Sequence, residues 1–84
     1  MIAPHAGTLR ARILAFIDAQ GPAGATDDEG EAALGIKPQT YTPRRGELAA
    51  LGVLVDTGRR RKTASGRPAA VWATPAHASE GRCG

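Results

Sequence analysis

"LGIKPQTYTPRRGELAALGVLVD", residues 34–56, is the stretch whose reading decides the fold. Gly35 closes whatever helix precedes it, and Pro38 suits a first helical position, where a missing N–H costs nothing. Lys37 then stands at the cap, and Ile36 can staple onto Tyr41 across the first turn. Tyr41, Leu48 and Leu51 share one helical face, with Ala49 and Ala50 nearby, and Gly52 ends the run. Pro43 is the misfit. It removes an interior hydrogen bond, so the helix is expected either to bend there or to become regular only from Thr42–Pro43.

Upstream, "TLRARILAFIDAQ" (residues 8–20) repeats Leu9, Ile13, Phe16, Ile17 and Gln20 at i, i+4, i+7, i+8 spacing. That spacing gives a helix one greasy face and leaves Arg10, Arg12 and Asp18 off it. Gly21 and Pro22 stop it. Thr26 and Glu29 then form a capping box, and Asp27 and Asp28 suit the positive end of a helix dipole. This second helix is expected to reach Leu34. Gly30 inside it costs roughly 1 kcal/mol relative to alanine, which makes it short and weak.

Downstream, "VLVDT" (residues 53–57) and "AAVWAT" (residues 69–74) are β-rich runs with turn signals at their inner ends, Gly58 and "SGRP". They predict a two-stranded hairpin with a long basic tip. Trp72, in a chain with a single Trp, Phe and Tyr, is expected to pack into the core rather than serve as a stacking platform. Residues 1–7 and 76–84 are expected to be flexible ends around one domain of residues 8–75.

An 84-residue chain is one domain's worth. Leu, Ile, Val and Ala must build the core, so modest stability is expected. No apolar stretch approaches the roughly 20 residues of a membrane helix, and the start lacks a signal-peptide core; the expectation is a soluble, cytoplasmic chain. Cys83 has no second cysteine for a disulfide or a metal site. The net charge of +3 is uneven: residues 1–35 carry −3 and residues 36–84 carry +6. Such an imbalance points to a polyanionic partner, most simply nucleic acid.

The order helix, short helix, turn, helix, basic hairpin resembles a winged helix-turn-helix DNA-binding domain. The landmarks are Leu34, Gly35 and Ile36, then Thr40, Tyr41 and Thr42, then Leu48, Gly52, Val53 and Leu54. The resemblance covers residues 8–75, and its wording is also similar to small winged-helix proteins of actinobacterial phages and prophages. It implies a small α+β fold of three helices followed by a two-stranded β-hairpin wing. It also implies a transcriptional or phage-lifestyle regulator that binds double-stranded DNA in the host cytoplasm. The third helix would enter the major groove, and the wing would follow the backbone or reach the minor groove.

By position, Gln39, Thr40, Thr42 and Arg44 are the candidates to face bases or flanking phosphates, with Arg45 between core edge and phosphate. The same Gln39, Thr40 and Thr42 equally suit plain helix-start chemistry. In the wing, Arg59, Arg60, Arg61, Lys62 and Arg67 supply five of the eleven Lys/Arg residues. Neutralising phosphates with them would dominate sequence-independent affinity. Gly66-Arg67-Pro68 resembles the core of an AT-hook, although Ser65 stands where that motif has an arginine; an ordinary turn is the simpler reading. Helix capping accounts for the acids at residues 27–29, and His5 and His77 have no partner at a fixed spacing. No cofactor, metal or enzymatic constellation is expected. The alternative function is a protein-interaction module that binds or inhibits a host protein, or an architectural subunit of a recombination complex. A monomer or weak dimer is compatible with either.

Overall fold

The computed structural model describes residues 6–63 and 66–77. Three α-helices, α1 (Ala6–Ala19), α2 (Asp27–Leu34) and α3 (Pro38–Ala50), precede two strands, β1 (Val55–Lys62) and β2 (Pro68–Ala73). The strands form an antiparallel hairpin, so the chain is a small α+β unit. None of the described helices is long and apolar enough to cross a membrane.

The core follows from the apolar spacing. Ile13 and Ile17 of α1, Tyr41 and Leu48 of α3, Leu54 and Ala25 form one buried cluster, flanked by Leu14, Phe16, Leu34, Ile36, Val53 and Trp72. Val71 and Ala73 carry it onto the hairpin. Trp72 is half-buried: it packs against this cluster, and the guanidinium of Arg45 lies over its ring. Leu51 departs from its expected place on the buried face and is 68% exposed. It is the C-cap residue of α3, one position beyond the helix end and next to Gly52 at φ 82°.

Local signals account for most element ends. Thr26 caps α2: its hydroxyl accepts from the Glu29 amide at 3.2 Å, and the Glu29 carboxylate accepts from the Thr26 amide at 3.0 Å. Gly35 then closes α2 in the left-handed region at φ 67°. Helix α1 begins at Ala6 rather than Thr8. Helix α3 begins at Pro38 and continues past Pro43, so it does not start late at Thr42–Pro43. The forfeited bond is the one to the Gln39 carbonyl. Both residues lie on the exposed side of α3, where solvent replaces that partner.

The hairpin differs most from expectation. Instead of forming a loop, Arg59–Lys62 lie within β1, where Arg60, Arg61 and Lys62 pair with Ala70, Ala69 and Pro68. A register irregularity separates Asp56 from Arg60. The Asp56 side chain accepts from the Gly58 amide at 2.9 Å, and Gly58 adopts φ 83° there. The closing turn is short, with the Thr63 amide bound to the Arg67 carbonyl at 2.9 Å. A single-residue bridge joins Ala25 to Trp72, each amide donating to the other's carbonyl at 2.9 Å. It ties the hairpin to the α1–α2 connection. Past β2, residues 75–77 are helical, so helical chain reaches into the region expected to be a loose tail.

Candidate nucleic-acid interface

The first turn of α2 organises the charged surface. Asp27 and Glu29 are held by two arginines from later in the chain. Arg45 of α3 donates to both Asp27 oxygens at 3.0 Å each. The same guanidinium lies 4.3 Å from the centroid of the Trp72 ring, a cation–π contact, and its side chain is only 16% exposed. Arg61 of β1 brings Nη1 to both Glu29 oxygens at 2.7 and 2.8 Å, while Nη2 donates to the Ala23 carbonyl. Glu29 therefore caps its own helix and anchors the hairpin with one carboxylate.

Alternation along β1 divides the cations. Arg59 and Arg61 turn toward the helical layer, Arg59 donating to the Pro22 carbonyl. Arg60 and Lys62 occupy the other face. Arg60 makes only exposed contacts, to Asp56 at 3.3 Å and to the Arg59 carbonyl at 3.0 Å. Among the described residues, the side chains of Lys62, Arg67 and Lys37 make no ion pair or hydrogen bond, and all three are exposed. Lys37, read from sequence only as a cap residue, was the missed cation. Its side chain does not cap α3, and its place at the start of an exposed helix was the available signal.

On α3, Gln39 and Thr42 are exposed and Thr40 is half-buried. Arg44 leans toward α1, where Glu47 accepts from it at 2.9 Å and from Arg10 at 2.8 Å. Arg45 lies on the other flank, toward α2 and the hairpin. The expected set is thus split: Arg44, Arg45, Arg59 and Arg61 have partners within the fold, whereas Gln39, Thr42, Arg60, Lys62 and Arg67 face outward.

Two groups near α2 have shifted titration. Burial pushes the Tyr41 hydroxyl above its ordinary value, and the Asp27 carboxylate adds to the shift. That hydroxyl has no hydrogen-bond partner. Glu31 is also raised, by partial desolvation and then by Asp28 and Asp27. Far from this surface, His77 lies 3.6 Å from Asp18, which also accepts from the Thr74 hydroxyl at 3.1 Å. Cys83 and His5 lie outside the described residues.

No family model, curated protein or solved structure matches the chain.

Proposed function

We propose that the protein is a winged helix-turn-helix module that binds double-stranded DNA, a regulator rather than an enzyme, working in the cytoplasm. Helix α3 enters the major groove, and the far end of the hairpin lies along the backbone or in the adjacent minor groove. The observation that carries this reading is the convergence of Arg45 and Arg61 on Asp27 and Glu29. These pairs fasten α3 and the hairpin to the same turn of α2, with Arg45 also over Trp72, while among the described residues Lys62 and Arg67 keep no side-chain partner and Arg60 keeps only exposed ones. Lys37, Arg60, Lys62 and Arg67 then supply the phosphate contacts, while Gln39 and Thr42 face base edges.

Affinity for random duplex DNA, measured across a salt series, tests this. Four phosphate contacts give a log–log slope of about −3.6. Replacing Lys62→Glu and Arg67→Glu together is expected to reduce low-salt affinity at least tenfold and the slope by about 2, with the circular dichroism unchanged. An unchanged affinity and slope would refute the wing's role.

One observation favours the second reading, a module that binds a host protein or an architectural partner. The outer face of α3 presents Gln39, Thr42, Pro43 and Ala50, all uncharged. Capture of a host protein from nuclease-treated lysate, with no DNA affinity at low salt, would select it.

A further inference from the structure

Helix α3 separates the side chains that are free to read a base from those that are not. Gln39, Thr42, Pro43 and Ala50 are exposed, and none carries a charge. Tyr41 and Leu48 are buried on the opposite face. Both arginines of the helix lie on its flanks, each held by a carboxylate. Arg44 pairs with Glu47 at 2.9 Å. Arg45 gives two 3.0 Å hydrogen bonds to Asp27, and its guanidinium lies over Trp72. Lys37 stands before the first turn, at the N-cap, with extended backbone.

This partition limits the chemistry that α3 offers. Guanine is read most often by an arginine or lysine that donates to both O6 and N7, and each arginine of α3 is already committed. Gln39 offers an amide instead, which donates to N7 of adenine and accepts from its N6 amino group. Among the described residues, neither Gln39 nor Thr42 has a side-chain hydrogen-bond partner. Thr42 lies three residues on, about 4.5 Å along the axis, close to one base-pair step of about 3.4 Å. Its methyl group suits the C5-methyl of thymine. Two turns after Gln39, Gly46 has nothing within 4 Å of where a Cβ would stand. The fold around it does not require a glycine, although glycine weakens a helix interior. Its effect is to keep the helix low beyond Gln39 and Thr42, which lets the backbone come close to a groove floor.

Resting on the DNA-binding reading above, we propose that α3 selects A·T base pairs in the major groove. Gln39 reads an adenine, and Thr42 packs on the thymine methyl of the neighbouring pair. Arg44 and Arg45 make no guanine contact. Lys37, Arg60, Lys62 and Arg67 supply affinity without regard to sequence.

Competition among three duplexes of equal length tests this on the full chain: alternating adenine–thymine, alternating guanine–cytosine and alternating inosine–cytosine. Inosine keeps guanine's acceptors in the major groove and lacks its amino group in the minor groove, so the third duplex separates the two grooves. The expected result is adenine–thymine binding about 5- to 150-fold tighter than either of the others. Replacing adenine by 7-deazaadenine, which lacks the N7 acceptor, is expected to remove most of that margin with the unmodified chain. Gln39→Ala, at an exposed position, is expected to do the same while leaving the circular dichroism and the salt slope intact. Equal affinity for the three duplexes, or a guanine–cytosine preference, would overturn the inference and leave DNA binding standing. So would an inosine–cytosine duplex that binds as tightly as adenine–thymine, since selection would then lie in the minor groove. A margin undiminished by 7-deazaadenine or by a folded Gln39→Ala variant would overturn it as well. No affinity for any duplex at low salt would refute the DNA-binding reading itself, and the base selection with it.

Discussion

Replacing Gly30 by alanine tests why α2 carries a glycine at its centre. In an exposed helix the change stabilises by about 1 kcal/mol. Here a Cβ on Gly30 would lie 2.0 Å from the Tyr41 hydroxyl, 2.3 Å from Cζ and 2.5 Å from Cε2. Tyr41 is fully buried, so its ring cannot swing into solvent to make room. Overpacking a close-packed site costs about 1–3 kcal/mol, and so severe a contact belongs at or above the upper end. After the propensity gain, a net loss of about 2 kcal/mol or more remains. For a chain of this size a loss of about 2 kcal/mol lowers the melting temperature by roughly 8–16 °C.

Thermal and urea denaturation of the parent and Gly30→Ala measures the loss, and a second substitution identifies its cause. Tyr41→Leu removes the ring; in that background Gly30→Ala is expected to be neutral or stabilising, a coupling of about 2–3 kcal/mol. Tyr41→Phe is not expected to rescue, because Cζ would still lie 2.3 Å from the new Cβ. A Gly30→Ala protein about 1 kcal/mol more stable than the parent would refute the reasoning. An unchanged loss in the Tyr41→Leu background would refute it equally.

Two further outcomes follow from the same charged surface. Arg61→Gln leaves Glu29 as a helix cap but loosens the hairpin's tie to α2; with both side chains more than a third exposed, the loss is held to about 1 kcal/mol. Amide exchange should quicken along β1 rather than in α1, and uniform acceleration across the chain would argue against a local tie. The second outcome concerns alkaline pH. Tyr41 titrates above its ordinary value of about 10 when folded, so its contribution is fully present below pH 10 and is lost as pH rises further, at about 1.4 kcal/mol per unit. Tyr41→Phe lacks this component. Stability of the two chains measured from pH 8 to 11 should therefore diverge above pH 10, and parallel curves would refute the assignment.

The parts of this fold that were legible in the sequence are those whose partners are near in the chain. Thr26 and Glu29 cap one another across three residues, and Gly35 and Pro38 mark a helix end and a helix start within one turn. The hairpin's existence was legible from its two β-rich runs, but its extent was not. A run of arginine and lysine after Gly58 reads as loop, yet strand pairing is made by backbone groups, and Ala69 and Ala70 supply them opposite Arg61 and Arg60. The Ala25–Trp72 bridge involves one residue on each side and leaves no periodic signal. Leu51 misled because i, i+3 spacing from Leu48 does not reveal where a helix stops. Gly30 reads as a defect of α2 only while Tyr41, eleven residues later, is out of view.

The charge imbalance between the two halves of the chain needs the most careful use. From sequence, −3 before residue 36 and +6 after it suggest a surplus of cations offered outward. Much of that contrast is consumed between the halves themselves. Arg45 meets Asp27, Arg61 meets Glu29, and Arg10 meets Glu47 in the reverse sense. Opposite net charge in two segments of one chain is equally the condition for those segments to dock, and only their folded placement separates the two uses. The strand makes that separation here by alternation: one face of β1 fastens the hairpin, and the other, with Arg67 beyond the turn, holds exposed cations, the ones the proposed function assigns to phosphates. A charge reversal directed at the run as a whole would confound the two effects, because Arg59 and Arg61 hold the fold. Lys62 and Arg67 are therefore the residues whose loss reports on binding alone.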